Sequence, residues 1–145
     1  MKNFTQKFIG ILALVFTMNF TVNSQEIGDV FEGGYIYQIN EDGTCLLADL
    51  EELGGMKWDD AIDAAASATS QGYDDWYLAN LEELELMYNT IWNLGSQGNI
   101  GGLGEYYWSS SELDGNFAWD VDFSYGGTGS FDKTNADRVR IIRTF

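Results

Sequence analysis

Tyr106 to Phe123 reads YYWSSSELDGNFAWDVDF, and the reading of this stretch decides the fold. Taken in steps of two, Phe117, Trp119, Val121 and Phe123 fall on one side of an extended chain, with Ala118, Asp120 and Asp122 on the other. Successive side chains of a strand point to opposite faces. The pattern therefore predicts a half-buried strand with its rings turned to a core and its carboxylates to water. ELDGN just before it is a turn, and YYWSS before that is a partner strand with Tyr106 and Trp108 on one face and Tyr107 on the other. The same rule leaves Tyr107 placed for exposure.

Toward the C-terminus the β pattern continues. SYGGTGSF bends on Gly126-Gly127 and leaves Tyr125 beside the bend. DRVRIIRTF alternates Val139 and Ile141 against Arg138, Arg140 and Ile142. Arg138, Arg140 and Arg143 form a basic cluster that is expected to offset acids on neighbouring strands. Toward the N-terminus lies a glycine-rich connection, NLGSQGNIGGLGE (93–105). It has no G-x-x-x-x-G-K-[ST] pattern and no Lys or Arg, which excludes a phosphate cradle of that kind.

Two helical segments precede that connection. In MKWDDAIDAAASATS, Trp58, Ile62, Ala65 and Thr69 recur at helical spacing. Asp59, Asp60 and Asp63 lie early, where the helix dipole favours negative charge, and Gly72 is the expected stop. In LANLEELELMYNTIW, Asn80 is an N-cap and Glu83 completes a capping box. Leu81, Leu84, Met87, Tyr88 and Ile91 make its apolar stripe. GDVFEGGYIYQI opens the chain's β structure and returns through the NEDG turn (Asn40 to Gly43) into TCLLADL. A starting hairpin, two helices and a terminal β block predict an α+β domain.

The first residues stand apart. MKNFTQKF is basic, FIGILALVFTMNF is almost wholly apolar, and TVNSQ ends on small polar residues. This order predicts a secretory signal peptide over residues 1–25 and a domain over 26–145. The apolar run is short for a membrane span, so no span is expected in the mature chain. The full chain carries 7 Lys and Arg against 23 Asp and Glu, a formal net charge of −16. Losing Lys2 and Lys7 with the leader enlarges that acidic excess, which disfavours nucleic acid and anionic membranes as partners. Histidine is absent and Cys45 is the single cysteine. That removes Ser-His-Asp and Cys-His nucleophile systems, the usual zinc sites and an internal disulfide. Cys45, followed by Leu46 and Leu47, reads as a small buried hydrophobe. Ser109 to Ser111 lack a local base and read as backbone-bonding residues at a strand end.

Four blocks in order resemble the Lcl C-terminal domain family, a bacterial family whose members look like distant relatives of the C-type-lectin-like fold. They are IGDVFEGGYIY, MKWDDAIDAA, DDWYLANLEELELMY, and YYWSSSE with FAWDVDF and RVRIIRTF. The resemblance spans about Ile27 to Phe145. One departure is Trp76-Tyr77-Leu78-Ala79-Asn80, where the family usually has W-[RY]-L-P-[ST]; Ala79 takes the place of the proline. The resemblance implies a C-type-lectin-like domain with two helices packed on antiparallel strands. It also implies an extracellular recognition role without catalysis.

The same resemblance implies that ligands meet loops near the end of the chain. The contact residues expected there are Glu112, Asp114 and Asn116 on the turn, Asp120 and Asp122 on the strand face, and Tyr107 and Tyr125 as stacking rings. Trp58, Trp76, Trp108 and Trp119 are assigned to the core. Lectin-type relatives hold Ca²⁺ with E-P-N or Q-P-D and W-N-D segments, whereas this chain has no proline and no W-N-D. Its nearest string, Trp119-Asp120-Val121-Asp122, sets two carboxylates on one strand face, half of the oxygen set that Ca²⁺ wants. No catalytic or metal-ligating residue is assigned. The expected function is a secreted recognition or adhesion domain for a glycan or protein at the cell exterior. A structural subunit of the cell surface and a carboxylate-dependent hydrolase are the rival readings.

Overall fold

The computed structural model describes residues 24–93 and 102–145. The expected leader, apart from its last residues, and most of the glycine-rich connection lie outside the described residues. In chain order the elements are β1 (Val30–Phe31), β2 (Gly34–Ile39), β3 (Cys45–Asp49), β4 (Gly54–Met56), α1 (Trp58–Ala66), β5 (Tyr77–Leu78), α2 (Leu81–Met87), β6 (Tyr106–Glu112), β7 (Phe117–Asp122), β8 (Gly127–Asp132), β9 (Asp137–Val139) and β10 (Ile141–Thr144). A single 3₁₀ turn spans Ser70–Gly72, and α2 runs on into a π-helical turn over Tyr88–Trp92. This is the expected α+β arrangement of two helices packed on antiparallel strands.

The strands form two sheets. One has the order β1-β2-β3-β10-β5, so the last strand of the chain joins the first hairpin. The other has the order β4-β9-β6-β7-β8. Its pairings are antiparallel except β6 with β9, which run parallel through Tyr107 opposite Arg138.

Local chemistry fixes the elements. Asp42 Oδ1 accepts from the N–H and hydroxyl of Thr44 and closes the β2–β3 turn. Asn80 Oδ1 accepts from Glu83 N while Glu83 Oε2 accepts from Asn80 N, which is the capping box expected from the sequence. Three serines then tie the layers together. Leu81 N donates to Ser111 Oγ, Ser110 N donates to Ala79 O, and Ser109 Oγ donates to Trp119 O. The first helix stops earlier than expected, at Ala66. Its buried stripe is Trp58, Ala61 and Ala65, with Ile62 only half-buried, so the face that packs is rotated by about one residue and is built largely of alanine.

The second sheet has a core on each side. On its α2 side, Tyr107, Val121 and Phe123 pack with Leu84, Met87 and Ile91. Phe123 meets Tyr107 edge-on at 5.0 Å between ring centroids, and Tyr88 at 5.6 Å. On the α1 side, Trp108, Ala118 and Val139 pack with Trp58, Trp76 and Ala61. The Trp58 indole N–H donates to Ser109 O at 2.7 Å, and that of Trp108 to Met56 O at 3.0 Å. Around Tyr107 and Trp108, central strand β6 is therefore covered on both faces.

Five side chains depart from expectation. Tyr107 is 0% exposed; its hydroxyl donates to Glu52 and accepts from Gly104 N. Asp120 and Asp122 are buried rather than solvated, at 1% and 5% exposure. Phe117 is exposed at the end of β7, and Trp119 is half-buried rather than core. Two-residue alternation identifies which side chains share a face. Which face is dry depends on what the helices cover, and here they cover both.

Candidate functional site

The α1-side face of the second sheet is only partly covered. Opposed residues in the ladder share a face. Asp122 faces Tyr106 on β6 and Gly127 on β8, and Asp120 faces Trp108 and Gly129. Two glycines, where β8 would otherwise present side chains, make room for rings from nearby positions. A methyl group on Gly127 would run into the Tyr125 ring. One on Gly129 would stand 2.6 Å from the Phe131 ring and 2.9 Å from Asp120 Oδ1. Phe131 thus lies across Gly129 and meets Tyr106 edge-on, with centroids 6.2 Å apart. Tyr106, Phe131 and Tyr125 remain 41%, 39% and 71% exposed. They form an aromatic lip over a floor of carboxylates.

The floor is electrostatically unusual. Burial, and then the nearby charge of Asp137, push the Asp120 carboxyl up to about 7; the Gly129 N–H, donating to it, only partly offsets this. Burial also raises Asp137 above the usual carboxylate range. Asp122 behaves differently. Its burial acts upward, but hydrogen bonds from the Ser124 hydroxyl and N–H and from Tyr106 hold it below the usual range. That carboxylate in turn raises the Tyr106 hydroxyl. Asp120 Oδ2 and Asp137 Oδ2 are buried with no hydrogen-bond partner among the described residues. Beside Asp137 a small cavity of about 110 Å³ opens between Glu105, Tyr106, Ala136 and Arg138.

The expected contact residues divide. Asp120, Asp122 and Tyr125 come together on this face. Glu112, Asp114 and Asn116 sit on the β6–β7 turn at the other end of the hairpin. The five residue steps from Phe117 to Asp122 put them roughly 17 Å away. There the turn residues have structural partners. Asp114 Oδ1 accepts from Asn116 N and Phe117 N, Lys133 N donates to Asn116 O, and Lys133 pairs with Glu112 at 2.8 Å. Tyr107 lies on the opposite, closed face. Tyr106, Phe131 and Asp137 belong to the site and were not singled out from the sequence. The signal for them is GGTGSF, where glycine at alternate positions opposite two aspartates marks a strand face that something else must fill.

Open clefts also lie elsewhere, and two of them flank the connection from β5 to α2. One, about 430 Å³, is lined by Asn80, Leu81, Glu82, Ser111, Glu112 and Trp119. The other, about 390 Å³, lies between Ile62 and Ala66 of α1 and Trp76 to Leu78. The Ser110–Ala79 hydrogen bond stands between them. Among the described residues, no group of three or more His, Cys, Asp or Glu side chains is close enough to hold a metal ion. Asp120 and Asp122 provide two carboxylates, of which Asp122 is already engaged by Ser124.

Residues 37–143 match the family described as the Lcl C-terminal domain. Among solved structures, the crystal structure of botrocetin is similar to this chain with a TM-score of 0.46 and 12% identity, over 79% of this chain and 98% of that one. Overlap at that level carries nothing from one protein to the other. No curated protein matches the chain. Among the described residues, no helix is long and apolar enough to cross a membrane.

Proposed function

The chain belongs to the Lcl C-terminal domain family, and from that premise we propose that it is a secreted, non-catalytic recognition domain whose ligand, a glycan or a protein, sits on the β6–β8 face. One observation carries this reading. Three bare rings lie over carboxylates with unfilled hydrogen-bonding capacity, on a sheet whose other face is closed by α2. A ring lip beside polar acceptors suits a ligand with an apolar surface and hydrogen-bond donors, which describes both a pyranose ring and a polar side chain. The surface is held by strands and is preformed, so little ordering is needed on binding. The leader-like first residues support an exterior location.

The test is a paired screen of the purified domain on glycan and peptide arrays, alongside a Tyr106→Ala/Tyr125→Ala double variant. The expected result is a ligand retained by the native domain and lost by the variant. A ligand held equally well by both would move the site elsewhere, and silence on both arrays would sink the recognition reading.

A further inference from the structure

Among the described residues the two sheets have four edges, and they are not alike. The first sheet ends on β1 and β5, of two residues each, and one end of the second is three-residue β4. Edges that short offer little to an incoming chain. The remaining edge is β8, six residues long and reading GTGSFD. Its register with β7 is regular over all six pairs, with no bulge to twist it aside. It carries no Lys and no Pro, and its single charge is Asp132 at the far end. The usual devices that blunt an edge are missing from it. The ladder also fixes where the backbone of β8 points. Lys133 N donates to Asn116 O, so bonded pairs recur at Ala118–Phe131, Asp120–Gly129 and Asp122–Gly127. Thr128 and Ser130 fall between these pairs and turn their N–H and C=O groups outward. Both residues are exposed, and no backbone hydrogen bond from another described element reaches them.

We propose that the β8 edge takes up an extended, basic peptide segment of a partner protein, which joins the second sheet as one more strand beyond β8. This rests on the reading of the β6–β8 face as the ligand surface and names the class of partner. Thr128 and Ser130 repeat a donor and an acceptor roughly 7 Å apart, the two-residue repeat of any extended chain. A glycan has hydroxyls but no such alternation along one edge. Side chains of the added strand alternate between the two faces of the sheet. Those on the Tyr106 side lie beside the exposed rings of Phe131 and Tyr125, which favours apolar or β-branched residues there. Those on the other side meet Thr128 and Ser130, which suits small polar residues. Charge narrows the choice further. With a formal charge of −16 and a pI near 4.1, the chain draws in a segment bearing Lys or Arg and repels a second copy offering its own β8.

The experiment measures binding of the labelled peptide KVTVTVK at low salt. Two further forms carry backbone N-methyl groups, one on its valines and the other on its threonines. Native domain is compared with Ser130→Pro, and a thermal melt checks that the variant is folded. The Ser130 N–H takes no part in the β7 ladder, so proline is tolerated in the strand while its ring blocks the edge. Binding is expected to weaken at least about tenfold in Ser130→Pro and in one methylated form, with the other form binding as the parent does, and to fall with added salt. Equal binding of all three peptides, or indifference to a folded Ser130→Pro domain, would overturn the proposal. Should Ser130→Pro unfold, the methylated peptides decide alone. Sedimentation of the domain without peptide tests the second copy. A dimer abolished by Ser130→Pro would give the edge to self-pairing and overturn the proposal as well. If the peptide fails while an array ligand still depends on Tyr106 and Tyr125, the edge assignment falls and the recognition face stands. If both fail, both readings fall.

Discussion

The two faces of the β6–β7 hairpin are built from neighbouring residues and differ in almost every physical respect. On the α2 face, Tyr107, Val121 and Phe123 are enclosed by helix, and the one polar atom among their side chains, the Tyr107 hydroxyl, both donates and accepts. On the other face, one residue away along the strand, Asp120 is enclosed with an unfilled oxygen while Tyr106 and Phe131 lie bare. Stability alone would favour the opposite arrangement, with carbon inside and carboxylate outside. The first face holds the domain together. The second departs from what holds it together, and such departures concentrate where a protein makes contact with something else.

The sharpest way to break this contrast is to empty the closed face. Phe123→Ala removes edge-on ring contacts to Tyr107, Tyr88 and Trp92 and leaves a cavity. Denaturant unfolding is expected to show a loss of about 3–5 kcal/mol. A loss below about 1 kcal/mol would mean that this core is looser than its contacts imply.

Next in size is Asp120→Asn, with the opposite sign. The carboxyl of Asp120, at about 7 when folded and 3.8 in its ordinary state, holds its proton more tightly in the native chain. The native state therefore binds more protons than the unfolded one between about pH 4 and pH 7. Stability from this group is intact below that window, is lost as pH rises through it, and stays lost above. Removing the charge is expected to stabilise the domain at pH 8 by up to about 4 kcal/mol, with the difference vanishing below pH 4. Melting curves of both proteins across that range check it. A variant less stable than the native domain at pH 8 would show that the Asp120 charge is already satisfied.

A smaller effect belongs to the closed side. Asn80→Ala removes the acceptor for Glu83 N at the start of α2, with an expected cost of about 1 kcal/mol. Smallest of all is Tyr125→Ala, which should change stability by less than about 0.5 kcal/mol because the ring is largely in water. Binding at the face is expected to weaken in the same variant. An unfolding titration and a binding titration on one sample separate the two effects.

Much of the fold was legible in the sequence. Asn80 and Glu83 announced the capping box, NEDG announced the first hairpin turn, and Cys45 is buried as its neighbours imply. The turn chemistry of Asp114 was also readable. The dry side of each strand was not. Alternation in FAWDVDF sorts residues into two sets, yet both sets are covered over part of β7 because α1 and α2 approach the sheet from opposite sides. Long-range packing of this kind leaves no mark within a single strand. The site was half-visible for the same reason. Asp120, Asp122 and Tyr125 were named, while Tyr106 was only placed on a shared face with Trp108, and Phe131 and Asp137 enter only through pairings with distant strands.

The most direct measurement follows amide and aromatic resonances of the labelled domain while a ligand found on the arrays is added. The expected result is a cluster of shifts at Tyr106, Tyr125, Phe131 and Asp137, with Tyr107 and Phe123 quiet behind the sheet. Shifts centred instead on Asn80, Glu82 and Trp119 would put the contact in the cleft beside α2 and contradict the division of the two faces drawn above.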